Sequence, residues 1–231
     1  MDAAIVKYFV EAGILGIIAY FYFTGNKKRD KQQEDIITQI VQHLGNQRSG
    51  HTTLFLDIGA NIGGYSIYAA KAKNSQVIAF EPSPFNLEFL ARNIWLNGLE
   101  RNITVIPIAL SEFTASAPFR MSRTEWAGSR SNFGEGDTPA SDYFTYPTIG
   151  IPIDLVSSVF NLPHPDYIKL DVDGIEGLIL AGGKSVLSQV KEVLVELPEG
   201  KSGQDLVITC LSQAGLRKQR DARHNEIWVR D

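Results

Sequence analysis

The chain has 231 residues, a net charge of −4 and 44% hydrophobic residues, enough to bury one medium α/β core with an appendage. The acidic balance offers no clustered basic face for nucleic-acid phosphates. The single Cys210 excludes an internal disulfide and a multi-cysteine zinc site and is compatible with a reducing compartment. His43, His51, His164 and His224 show no metal-ligand spacing, so no metal site is expected.

Residues 4–23 are almost wholly apolar, about the length that crosses a bilayer as a helix. Lys7 and Glu11 interrupt them on one helical face. Tyr20 to Phe23 resemble an interfacial aromatic belt, and Lys27-Lys28-Arg29 follow as a cytoplasmic-side basic cluster. The first expectation is an uncleaved membrane anchor (residues 1–25) with the enzyme on the cytoplasmic side. An interfacial helix, or a helix docked on a partner or on the domain, are the alternatives. Residues 26–51 read as a polar linker turning into an amphipathic helix, with Ile36, Ile37, Ile40, Val41 and Leu44 at helical spacing. A single domain is expected over 52–231.

That domain opens on Leu54 to Ile58, an apolar strand that breaks into a turn carrying Gly59, Gly63 and Gly64 before a helix-compatible run, Tyr65 to Ala72. Glycines permit positive φ and a ligand against bare backbone, and the following helix presents unpaired N–H groups and a positive dipole end. A second strand, Val77 to Phe80, ends in Glu81, placed to accept hydrogen bonds from ribose hydroxyls. Strand, glycine turn, helix, strand and acid together describe a nucleoside-cofactor site. The spacing is not the dinucleotide G-x-G-x-x-G, and Asp57 beside the turn repels a pyrophosphate while suiting the sulfonium and ammonium of S-adenosylmethionine. A βα turn that binds nothing is the alternative.

Ser83 and Pro84 suit the start of a helix running from Phe85 to Asn97 and closed by Gly98. Ile103 to Leu110 reads as a third strand. Residues 112–150 are rich in Ser, Thr, Gly and Pro with scattered aromatics, too long for a routine connection and therefore a lid or a β-rich insertion. Arg120, Arg123 and Arg130 in it are candidates for an anionic acceptor. Tyr167 to Val172 forms the fourth strand, with Asp171 and Asp173 at its carboxyl end, where ligands gather in open α/β sheets. Strands at Val190–Leu197, ending in Glu196, and at Glu226–Arg230, with a helix over Leu206–Ala214, complete a three-layer α/β order. A mostly parallel seven-stranded sheet with a terminal hairpin fits it.

The blocks Asp57-Ile-Gly-Ala-Asn-Ile-Gly63, Ala79-Phe-Glu-Pro-Ser-Pro84, Asn93-Ile-Trp-Leu-Asn-Gly98, Ile108-Ala-Leu-Ser111, Ile153-Asp-Leu155 and Tyr167-Ile-Lys-Leu-Asp-Val-Asp-Gly-Ile-Glu176 resemble the FkbM family of S-adenosylmethionine-dependent methyltransferases. The resemblance implies a Rossmann-like class I methyltransferase fold and S-adenosyl-L-methionine as cofactor. It implies cofactor contacts from Asp57, Gly59, Ala60, Asn61, Gly63, Glu81 and Pro82, with Ala109, Leu110 and Ser111 near the adenine. The 112–150 segment would lie over the acceptor. Asp171 is the first candidate for the base that takes the acceptor's proton or for orienting the acceptor, with Lys169 and Glu176 in support and Asp173, where the family usually carries glutamate, a further candidate. The expected reaction is O-methylation of a hydroxyl, with a sugar or lipid-linked hydroxyl as the acceptor to consider and no nucleic acid. A nicotinamide-dependent oxidoreductase on a similar sheet and a non-catalytic scaffold with this fold are the rivals.

Overall fold

The computed structural model describes residues 52–73, 75–121, 131–134, 144–222 and 225–231. The anchor expected over 4–23 and the linker helix of 26–51 lie outside the described residues. Among the described residues no helix is long and apolar enough to cross a membrane.

A seven-stranded sheet carries the fold. Its strands are β1 (Leu54–Ile58), β2 (Gln76–Phe80), β3 (Ile103–Ile106), β8 (Tyr167–Leu170), β9 (Glu192–Glu196), β10 (Arg217–Ala222) and β11 (Asn225–Val229). Their spatial order is β10-β11-β9-β8-β1-β2-β3. Strands β3, β2, β1, β8 and β9 run parallel, and β11 and β10 are antiparallel additions at one edge. Strands β1, β2, β8 and β9 are buried on both faces save at their ends, which is why they read as largely apolar runs rather than alternations. Helices α1 (Gly64–Lys73) and α2 (Pro84–Leu96) accompany one face, where Phe55, Val77, Ile67, Leu90 and Ile94 pack together. Helices α3 (Ile153–Val159), α4 (Glu176–Ala181), α5 (Lys184–Leu187) and α6 (Lys201–Gln213) accompany the other, with Leu56, Ile168, Val193, Val207 and Leu211 in its core.

Local chemistry sets the boundaries. Ser83 caps α2 by accepting the Asn86 N–H, Pro84 opens it, and Gly98 follows at φ 64°. Asp154 accepts the N–H groups of Ser185 and Val186 at 2.8 and 2.9 Å, holding the start of α5. Asp166 accepts the Leu54 N–H at 2.9 Å and pairs with Lys191 at 2.7 Å, which fixes where β1, β8 and β9 begin. Helix α6 starts at Lys201, a turn and a half earlier than its apolar pattern suggests, because its first turn is polar and exposed.

The single third strand expected over 103–110 is two strands. Pro107 has no N–H for a ladder, and beyond it Ala109–Leu110 form β4 in a second sheet. That sheet holds β5 (Ala115–Met121), β6 (Ser131–Phe133) and β7 (Phe144–Ile151) in the order β4-β7-β5-β6. The described part of the 112–150 segment is therefore β-structure, built mainly on the antiparallel β5–β7 pair.

Candidate active site

The carboxyl ends of β1, β2, β8 and β9 meet on one edge of the large sheet. Asp57 of β1 lies in register with Lys169 of β8, so their side chains leave the same face side by side. Asp57 is wholly enclosed. Its Oδ2 accepts the Ser66 hydroxyl at 2.6 Å, and its Oδ1 has no hydrogen bond but faces the Lys169 ammonium at 3.5 Å. Lys169 is buried as well. Its Nζ donates to the Gly59 carbonyl at 2.7 Å, stands 3.5 Å from Asp171 Oδ2 and lies 5.0 Å from the centre of the Tyr65 ring. Burial pulls the Lys169 ammonium down, and Asp171 and Asp57 outweigh it, so it is held above its ordinary value and stays charged. Burial also pushes the Tyr65 phenol up, with Lys169 opposing, so Tyr65 stays neutral.

The glycine turn takes its shape from close approach. Gly59 has φ 78°, and a Cβ there would stand 1.9 Å from the Asp171 carbonyl oxygen, so no other residue allows β1 and β8 to end so near each other. Asn61 follows at φ 52°, and Gly63 at φ 92°. The Asn93 side chain donates to the Ile62 carbonyl at 2.9 Å and ties the turn to α2. Ala60 is buried, and its N–H bonds the Phe80 carbonyl at 3.0 Å. Gly64, at the first position of α1, faces open space: a Cβ there would meet no atom within 4 Å.

Glu81 sits at the end of β2 with its carboxylate already engaged. Oε2 accepts the Asn61 N–H at 2.7 Å, and Oε1 accepts the Ser83 N–H at 2.8 Å and the Asn86 amide at 3.4 Å. A carboxylate offers about four acceptor positions, so the strongest open one is on Oε2. Burial raises the Glu81 carboxyl, while the bonds from Ser83, Asn61 and Asn86 pull the other way. Pro82 follows with no N–H to compete for the carboxylate, and is partly exposed.

At the end of β8, Asp171 is partly exposed and Asp173 takes φ 61°. Glu176 shapes this turn, its Oε1 accepting the Val172 and Gly174 N–H groups at 3.2 and 3.1 Å, and burial raises its carboxyl. Asp173 Oδ2 accepts the Ser131 N–H of β6 at 3.2 Å, which links the second sheet to the mouth of the site. On the other side Ser83 Oγ lies 3.3 Å from Met121 Sδ of β5, and Tyr146 of β7 is near enough for Glu81 to add to the burial that raises its phenol. The second sheet therefore touches both the β2 and the β8 ends. Ala109 packs in its small core with Phe119, Met121 and Phe133, and Leu110 in the main core. The Ser111 hydroxyl donates to the Phe113 carbonyl at 2.7 Å.

Glu196, at the end of β9, is pushed up to about 8, first by burial and then by its neighbours Asp171, Asp173 and Glu176. Sequence reading notes it only as an acid at the cleft edge. Ser66, Tyr65 and Asn86 carry no motif of their own, although each follows closely on a motif acid, which is the one available signal. Arg120 donates to the Gly134 carbonyl within the second sheet, while Arg123 and Arg130 lie outside the described residues. Among the described residues no group of three His, Cys, Asp or Glu side chains is arranged to hold a metal ion.

Comparison with known proteins agrees with this geometry. A hexuronic acid methyltransferase, AglP, from Haloferax volcanii is 32% identical over 162 residues, covering 69% of this chain and 62% of that protein. The methyltransferase sdnD of Sordaria araneosa is 34% identical over 86 residues, covering 37% of this chain and 32% of that protein. The chain thus spans less than two-thirds of the length of these curated relatives. Among solved structures, a precorrin-6y C5,15-methyltransferase from Geobacter metallireducens aligns over 85% of this chain and 88% of its own, at 14% identity and a TM-score of 0.48. Residues 57–217 match the methyltransferase FkbM domain, and the chain belongs to that family.

Proposed function

We propose that this protein transfers the methyl group of S-adenosylmethionine to a hydroxyl oxygen, with a sugar as the acceptor. The observation that carries the reading is the pairing, on one sheet edge, of Glu81 beside a glycine turn with Asp171 one strand beyond that turn. The residues fit the cofactor: Glu81 keeps an acceptor position for a ribose hydroxyl, Gly64 leaves room at the helix start, and the carboxyl ends of β8 and β9 supply negative charge for a sulfonium. A second ribose bond requires only the displacement of the 3.4 Å contact from Asn86. The name of the Haloferax relative favours a sugar acceptor.

When bound, the cofactor supplies a methyl carbon made electrophilic by its positive sulfur. The chain's share is placement and proton handling. Asp57 works from beneath the site: it holds Lys169, which holds the Gly59 carbonyl and so the turn. Asp171 is exposed enough to meet an acceptor hydroxyl and would take its proton. Asp173 acts through Ser131, positioning the second sheet that bounds the acceptor side.

Calorimetric titration of S-adenosylhomocysteine into the whole protein tests this reading. Micromolar binding is expected, weakened at least about thirtyfold in Glu81→Ala, the loss of one to two hydrogen bonds to a charged group. Folded wild-type protein that gives no binding heat rules the reading out. An oxidoreductase would instead bind a nicotinamide dinucleotide, for which Asp57 and the glycine spacing are unsuited.

A further inference from the structure

At the carboxyl ends of β1, β8 and β9, Asp57 and Asp171 flank the buried Lys169, and Glu176, Asp173 and Glu196 gather around Asp171. Each carboxylate has a different arrangement. Asp57 is enclosed and paired with Lys169; Glu176 is spent on the backbone of its own turn; Asp173 reaches the second sheet. That leaves Asp171 and Glu196. Leu170 and Val195 are in register, so the next residues on the two parallel strands, Asp171 and Glu196, emerge side by side on one face. Asp171 is the neighbour that most raises Glu196, the behaviour of two carboxyls that share a site and of which one keeps its proton. Both are partly exposed, so that proton has a path to water.

We propose that Asp171 and Glu196 share one proton in the resting protein, that arrival of the sulfonium expels it, and that Glu196 thereby makes donor binding the step that frees Asp171 to act as a base. This rests on the cofactor reading given above. The charge accounting closes. The resting pair carries one negative charge beside Lys169. A cation entering this low-dielectric edge is better matched by two negative charges, so the shared proton leaves to solvent as the donor binds. The acceptor's hydroxyl proton then passes to the vacated pair while the methyl group moves. The sulfur becomes neutral, the pair is again singly charged, and the site is back in its resting state around the thioether product. The donor is thus favoured over the product by the same two residues that take the proton. The upward push on Glu196 from burial and from Asp171, Asp173 and Glu176 puts the release in the neutral range.

Binding linkage is reciprocal, so the test needs no acceptor. S-adenosylmethionine and S-adenosylhomocysteine are titrated into the whole protein between pH 6.5 and 9, each in buffers of different ionisation enthalpy. Donor binding near pH 7.5 is expected to release a substantial fraction of one proton, and product binding none. The donor-to-product affinity ratio should rise about tenfold across the range, as a one-unit displacement of the shared titration requires. In Glu196→Gln, which offers Asp171 an amide donor in place of the acid, the proton release and the pH dependence of the ratio should disappear while product affinity stays within about threefold of wild type. Glu196→Asp should restore part of the release. Carboxyl-carbon NMR of the ligand-free protein should show one glutamate titrating near neutrality that is missing in Glu196→Gln. Equal proton release for both compounds, or a Glu196→Gln variant that loses both affinities alike, overturns the inference and leaves the methyltransferase reading standing. Wild-type protein that binds neither compound overturns both.

Discussion

Lys169 is a lysine with almost no access to water, and its surroundings explain why it remains an ammonium there. An isolated buried lysine surrenders its proton, whereas this one has two carboxylates, a carbonyl and the face of Tyr65 around it. Removing it strands Asp57, whose one counter-charge among the described residues it is, at 3.5 Å. We expect Lys169→Met to lose about 3–5 kcal/mol of stability, the usual cost of one partner of a buried ion pair, measured by urea unfolding. If the variant unfolds at the wild-type midpoint, the pair is not structural. Gly59→Ala combines a positive φ with a 1.9 Å approach to a backbone oxygen that has nowhere to move. A loss of at least about 3 kcal/mol is expected, above the cost of strain alone.

At the scale of elements, the second sheet depends on a small core of its own. A Cβ on Gly150 of β7 would come within 2.3 Å of the Phe133 ring and 2.7 Å of the Ser111 hydroxyl. Gly150→Ala should therefore loosen β5–β7, speeding amide exchange there by about tenfold or more, as a 1–2 kcal/mol local loss implies, while exchange in β1, β2 and β8 stays as it was. Uniform acceleration through both sheets would mean that the two are not separable units. These elements also mark the limit of what the sequence discloses. The glycine turn, Glu81 and the capped α2 are local patterns, complete within a few residues, and were legible at once. The second sheet was visible only as a segment too long to be a loop, because β6 has three residues and β5 and β7 are half-exposed strands interrupted by Pro118 and Pro147. Lys169 was legible as a motif residue but not as a buried one, since its burial depends on β1 and β8 being neighbours. The Asp171–Glu196 pair needs the β8–β9 register, which no local pattern states.

Over the whole molecule, pH dependence follows from acids that the fold has enclosed. Burial pushes Glu192 of β9 up to about 7, with Arg220 opposing; in the unfolded chain it titrates near about 4.3. Between these values the folded protein holds a proton that the unfolded chain has lost, so this residue's contribution falls as pH rises from about 4.5 to 7 and is flat above that. Glu192→Gln should accordingly stabilise the protein by about 1–2 kcal/mol at pH 8, allowing for the lost attraction to Arg220, with the gain vanishing near pH 4. A gain of equal size at both pH values would point to packing rather than ionisation. The same scale shows why the central strand matters most. β1 has β2 as a near neighbour in the chain and β8 as a distant one: Leu54 and Asp166, which join them, are 112 residues apart. Short connections let β1, α1, β2, α2 and β3 gather quickly, whereas closing so long a loop is slow. Until that loop closes, Asp57 of β1 has Ser66 close by in the chain but not Lys169, which stands on β8. The residue that holds the glycine turn therefore reaches it only when that distant connection closes.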